Sequence, residues 1–173
     1  VPSGHPDAPA LSVLAAFLRN GFLHRTIREQ GGAYGGGASH DPNIAAFRFF
    51  SYRDPRLVET LDDFDASIAW LLETQHEQLA LEEAILSVMA SLDKPGSPAG
   101  EAKRDFHERL FGRTAEHRRI LRAGIVGTTL DDLRLVAETY LKPELASTAV
   151  VTHTAGADIV AERQLPLTRQ DLL

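Results

Sequence analysis

The segment REQGGAYGGGASHD, from Arg28 to Asp41, sets an arginine and a tyrosine beside a cluster of glycines. A guanidinium presents a planar fork of donors to carbonyl or carboxylate oxygens. A phenol can donate a hydrogen bond to an oxygen that gains negative charge during a reaction. The glycines invite a phosphate-cradle reading, which the spacing rejects. A dinucleotide fingerprint built on Gly35 and Gly37 would need a glycine at position 40, which is His40. A P-loop would need Lys after its last glycine, where Ala38 follows Gly37. Gly35, Gly36 and Gly37 therefore read in one of two ways. They form a bare strand packed closely on a neighbouring element, or a bare strand that an extended peptide can approach. Arg28 could simply cap carbonyls at a helix end, and Tyr34 could simply pack among the glycines.

Other chemistries find less support. The chain has seven histidines and no cysteine, so disulfides, thiolate metal sites and Cys nucleophiles are ruled out. Paired histidines on one helical turn would bind zinc, but His76-Glu77 meets Ala80 and His107-Glu108 meets Phe111 at the required position. The inverted H-x-x-E-H order does not occur, and the histidines read as scattered surface residues. No G-x-S-x-G elbow marks a nucleophilic serine. Asp62, Asp63 and Asp65 read as a solvated acidic face. Arg113, Arg118, Arg119 and Arg122 read as a solvated basic one, with phosphate binding as the minor alternative.

The elements that would position Arg28 and Tyr34 follow from periodicity. Leu11, Leu14, Phe17, Leu18, Phe22 and Ile27 recur at helical spacing, with Asp7 as N-cap and Pro9 in the first turn. Gly21 loosens this helix, which must stop near Gly31-Gly32. Two extended runs joined through SHDPN make an antiparallel hairpin. The second, NIAAFRFFSYRD, is apolar on both faces and reads as an inner strand. A helix then opens with Asp54 as N-cap and Pro55 in its first position. Leu57, Leu61, Phe64, Ile68 and Leu71 form a stripe that should lie on the sheet. Further helices are expected near 77–92, 100–111, 114–123 and 130–141, the last capped by Thr129 and ended by Lys142-Pro143. STAVVTHT, Ser147 to Thr154, reads as a third strand. The fold class is α+β, a mostly antiparallel sheet covered by helices on one side, in a single module over 1–173. The first strand or strands of the sheet are expected to be missing from a chain that does not begin with Met and reads as a fragment or processed piece.

A net charge of -6 argues against nucleic-acid and anionic-membrane partners. No apolar run reaches the length of about 20 residues that a spanning helix needs. The expected location is cytoplasmic, with the mitochondrial matrix and the periplasm left open.

HPDAPALSVLAAFLRNGFLHRTIREQGGAYGGG, followed by FRFFSYRDPRLVETLDDFDASIAWL, resembles the C-terminal part of presequence proteases. These are pitrilysin-type zinc peptidases, relatives of insulin-degrading enzyme and of the mitochondrial processing peptidase. The likeness is most specific in REQGGAYGG and SYRDP and covers about residues 5 to 150. It implies the last, metal-free module of an enzyme whose first module carries the H-x-x-E-H zinc motif. It further implies that Arg28 and Tyr34 reach across to that zinc site, grip the peptide and stabilise the transition state, with Gly35, Gly36 and Gly37 lining the substrate. This chain would hold no cofactor, the zinc lying on the N-terminal domain of the full enzyme. Its partners would be the other domains and an unstructured peptide. The alternative is a non-catalytic interaction or assembly subunit of a pitrilysin-type complex.

Overall fold

The computed structural model describes residues 1–153, 155–156, 158–159, 168 and 170. Helix α1 (Ala8–Leu18) has Asp7 at its N-cap and Pro9 in its first turn. The Asp7 carboxylate leaves the helix amides uncapped and instead accepts the Tyr140 hydroxyl at 2.6 Å. Apart from Ser12, every residue of α1 is buried. A helix apolar all round belongs in the centre of a fold, and α1 packs against the hairpin and four other α-helices. Burying Leu11, Leu14 and Leu18 completely stabilises the fold by about 1.5–3 kcal/mol each.

The chain does not break at Gly21. It continues from α1 into a π-helical segment, Arg19–Gln30, whose wider winding still turns Leu23 and Ile27 fully inward. Gly21 admits a neighbour: a Cβ there would come within 2.5 Å of the Trp70 ring. Trp70 in turn packs on Phe17 and Phe22 at centroid distances of 5.5 and 5.6 Å. The segment ends where expected. The Gly32 amide bonds the Arg28 carbonyl at 3.1 Å, and Gly32 takes φ +80°, a conformation open to glycine without strain.

β1 (Gly35–Asp41) pairs antiparallel with β2 (Ala46–Tyr52), in a register running from Gly35 opposite Tyr52 to Asp41 opposite Ala46. Asp41 accepts the Asn43 amide at 3.0 Å inside the connecting turn. Among the described residues β2 pairs with β1 alone, where an inner strand would pair on both edges. Phe47 and Phe49 pack toward the core, while Phe50 and Tyr52 remain 46% and 55% exposed. The apolar alternation was legible, but pairing on the second edge requires a neighbour that alternation cannot supply.

Helix α2 (Val58–Glu73) begins later than Asp54-Pro55 predicts. Asp54 instead builds the preceding turn, accepting the Arg56 amide at 3.0 Å and the Thr60 hydroxyl at 2.7 Å. Its stripe meets the sheet at Phe64, stacked on Phe49 at 5.3 Å, and α2 packs more extensively on the π-helical segment. Four helices follow: α3 (Gln78–Leu92), α4 (Pro98–Leu110), α5 (Ala115–Val126) and α6 (Leu130–Tyr140). Thr129 caps α6 in a reciprocal capping box with Asp132.

The third strand is a correction. Residues 147–153 join no ladder, and Val151 is 85% exposed; Thr154 lies outside the described residues. A strand forms only where an edge accepts its amides. The architecture is α+β: among the described residues, a two-stranded antiparallel sheet with the six α-helices α1 to α6.

Candidate functional site

Arg28 lies in the last turn of the π-helical segment, exposed, with Nη1 3.4 Å from His24 Nε2. His24 leans in turn on Glu29, at 3.3 Å. A cation here faces the negative end of the helical dipole. The segment end is held from behind by Arg56, which donates to the Thr26 carbonyl at 3.2 Å and to Asp63 at 2.9 Å. The Arg56 guanidinium passes so close to Gly31 that a Cβ at that position would collide with it. Arg56 Nε is buried and has no hydrogen-bond partner among the described residues. Asp63 is thereby withdrawn from the solvated acidic face expected of it, while Asp62 and Asp65 remain exposed. Partial burial and the neighbouring Asp62 raise the Asp65 carboxyl above its ordinary range.

Tyr34 follows the Gly31-Gly32 turn and is 69% exposed. No hydrogen bond joins it to Arg28 among the described residues. The structure groups it instead with two residues from the end of the hairpin. The Tyr34 ring meets Tyr52 edge to face at 6.0 Å, and the Arg53 guanidinium sits 5.7 Å from the Tyr34 centroid and 5.4 Å from that of Tyr52. The Tyr34 amide donates to the Arg53 carbonyl at 3.3 Å. Arg53 has φ +49°, a left-handed conformation that costs a non-glycine residue on the order of 1 kcal/mol. Tyr52 and Arg53 were not singled out from sequence, although the signal exists. Closing the hairpin at Asp41 and Ala46 counts back to Tyr52 opposite Gly35, which brings Arg53 to the level of Tyr34.

The three glycines divide. A Cβ on Gly36 would lie 2.7 Å from Ile27 Cγ2, and one on Gly37, at φ +154°, would lie 2.8 Å from Arg19 Cγ. Gly35 meets nothing within 4 Å. Close packing on the π-helical segment therefore accounts for two of them, while the third leaves bare backbone beside Tyr34 and Tyr52.

Two histidines are less peripheral than expected. His76 packs its ring 4.4 Å from Trp70 and places Nε2 3.1 Å from the Leu71 carbonyl at the end of α2. His40 lies 3.0 Å from Ser12 Oγ through Nδ1 and 3.1 Å from the Val1 carbonyl through Nε2. Burial holds its pKa below the ordinary histidine range. Among the described residues no group of three or more His, Asp or Glu is placed to hold a metal ion. Three arginines of the basic face are charge-paired: Arg118 meets Glu108 at 3.2 Å, Arg119 meets Glu116 at 2.7 Å, and Arg122 meets Asp93, while Arg113 donates to the Asn43 side chain. That pairing weighs against a phosphate site there.

The model of the PreP C-terminal domain family matches residues 2–155. The chain belongs to the presequence-protease C-terminal domain family. It is 41% identical over 138 residues to the mitochondrial presequence protease of Eremothecium gossypii, a match covering 79% of this chain and 14% of that protein. The corresponding protein of Saccharomyces cerevisiae is 38% identical over 142 residues, covering 82% of this chain and 14% of the relative. That of Mus musculus is 36% identical over 141 residues, covering 82% and 13%. This presequence-protease C-terminal domain thus matches about one seventh of the length of its curated relatives. No helix among the described residues is long and apolar enough to cross a membrane.

Proposed function

We propose that this domain grips peptide substrate for a zinc-dependent endopeptidase that degrades short, unstructured peptides, with the metal on another domain. The observation that carries the reading is the rim itself. Arg28 and Tyr34 are exposed on either side of the Gly31-Gly32 turn, and the open backbone of Gly35 lies next to Tyr34. An extended peptide can approach Gly35 because no residue beyond its chain neighbours lies within 4 Å of where a Cβ would stand. The Arg28 guanidinium is free to take backbone carbonyl oxygens of that peptide. The Tyr34 hydroxyl can donate to the carbonyl oxygen at which negative charge develops, a contribution of about 2.7–4 kcal/mol for one well-placed donor. Gly36 and Gly37 pack against Ile27 and Arg19, so the bare surface offered to the peptide is that of Gly35. Activation of water by zinc is the contribution of the other domain, and this chain's share is binding and charge stabilisation. The partners in this reading are the remaining domains and the peptide. Of the locations left open by the sequence, a mitochondrial one is what the relatives' name supports.

The test is made in the full-length protein. Arg28→Ala and Tyr34→Phe should each lower peptide turnover by about 100-fold or more, while bound zinc measured by elemental analysis stays at the wild-type level. Near wild-type turnover in both variants would sink the assignment and favour a docking or assembly role.

A further inference from the structure

We infer that Arg53 is a positioning residue for Tyr34: its guanidinium and its strained backbone together hold the phenol in its working orientation. The inference rests on the proposed role of Tyr34 and adds a residue to it. Tyr34 is largely solvent-exposed, and an exposed tyrosine with two free side-chain torsions samples several rotamers. Something must restrict it if its hydroxyl is to meet a particular oxygen. Three contacts do so, and two of them come from Arg53. The guanidinium stands 5.7 Å from the Tyr34 ring centroid and 5.4 Å from that of Tyr52, so that one planar cation bridges two rings set at 80° to each other. The Arg53 carbonyl receives the Tyr34 amide at 3.3 Å, which ties the backbone carrying the phenol to the end of β2. Tyr52 supplies the third contact through its edge-to-face packing.

The backbone of Arg53 points the same way. Its φ of +49° is a conformation that glycine would adopt without strain, yet an arginine occupies it. That conformation turns the chain sharply after β2, aims the carbonyl at Tyr34 and swings the side chain back over the rings. Among the described residues no carboxylate forms an ion pair with Arg53, so its charge is not engaged elsewhere in the fold. A purely structural role would be met better by glycine. The arginine is explained by what its side chain holds.

The experiment uses the full-length protein with a fluorogenic peptide and four variants: Arg53→Gly, Arg53→Lys, Tyr34→Phe and the Arg53→Gly/Tyr34→Phe double. Arg53→Gly retains the left-handed turn and loses the guanidinium. It should lower kcat by about 10-fold with KM changed less than about 2-fold, because a misplaced donor weakens the transition state more than the ground state. Arg53→Lys, which keeps charge but loses the planar face, should recover part of that loss. In the double variant, the second change should add nothing to the Tyr34→Phe defect. Wild-type kcat in Arg53→Gly, with Tyr34→Phe impaired, overturns the inference and leaves the role of Tyr34 standing. Additive losses in the double variant also overturn it, since Arg53 would then act independently of the phenol. An unimpaired Tyr34→Phe removes the proposed role of Tyr34 and the inference together. If Arg53→Gly fails to fold, the same comparison is made with Arg53→Lys alone and combined with Tyr34→Phe. Lys without loss, or with a loss additive to that of Tyr34→Phe, counts against the inference.

Discussion

Gly36 and Gly37 press against Ile27 and Arg19, whereas Gly35, one position earlier in the same run, faces open space. The contrast extends beyond these three residues. On the packed side lie α1, the inward residues of the π-helical segment and the inner face of the hairpin, where apolar side chains are buried and the two glycines lack one because neighbours fill the room. On the open side lie Tyr34, Gly35, Tyr52 and Arg53, where side chains are exposed and one backbone angle is strained. Identical residue types thus serve opposite ends. The packed glycines set how closely two elements approach, and the open one determines what a visitor meets.

Three measurements on the chain can break or sharpen this division, with the single tryptophan, Trp70, as a fluorescence probe of urea unfolding. The largest effect is expected deep on the packed side. Leu14→Ala removes a fully buried side chain from α1 and should destabilise the chain by about 2–5 kcal/mol. A loss of under 1 kcal/mol would mean that α1 is not the centre of the core. The glycine pair gives a smaller and more pointed contrast. Gly36→Ala must push a methyl into Ile27 and should destabilise by about 1–3 kcal/mol. Gly35→Ala meets no neighbour and should stay within about 0.5 kcal/mol of wild type. Equal effects at the two positions would erase the distinction.

The smallest effect is pH-dependent and reports on the packed side through His40. Burial lowers its folded pKa below the ordinary histidine value of 6.5, so the neutral ring is the form that the fold favours. Above 6.5 this contribution is fully present. As pH falls below 6.5 the unfolded chain takes up the proton first, and stability declines until the folded His40 also titrates. The backbone contact at Val1 and the charge of Asp41 act against that lowering, and the amino terminus adds to it. The urea midpoint should therefore drop on acidification through this window, and His40→Gln should flatten the drop. An unchanged slope in His40→Gln would assign the effect to other groups.

Much of the positioning was legible before any coordinates. The apolar spacing of Leu11 through Leu18, the stop at Gly31-Gly32, the hairpin through SHDPN and the Thr129 cap all act within a few residues of chain, where periodicity and turn chemistry have direct force. The errors arose where a distant partner decided. Asp7 takes the expected N-cap position, but Tyr140 claims its carboxylate, and Asp54 has the right chemistry for a cap that Arg56 and Thr60 claim instead. β2 has inner-strand composition without a second neighbour among the described residues, and 147–153 has strand composition with no edge to join. At the rim, Arg28 and Tyr34 were named from sequence. Arg53 was missed because left-handed strain and a ring sandwich leave no mark on composition.

The sequence by itself determined the α+β class, the helical periods, the helix stop and the close succession of Arg28, Tyr34 and Gly35, since each depends on local propensity or on order along the chain. Only the tertiary structure decided which glycines are filled and which is open. It also decided that Arg56 braces the end of the π-helical segment and that Arg53 joins Tyr34 to Tyr52. Those outcomes depend on which side chains from distant segments reach the same few ångströms, and a linear pattern carries no information about that meeting.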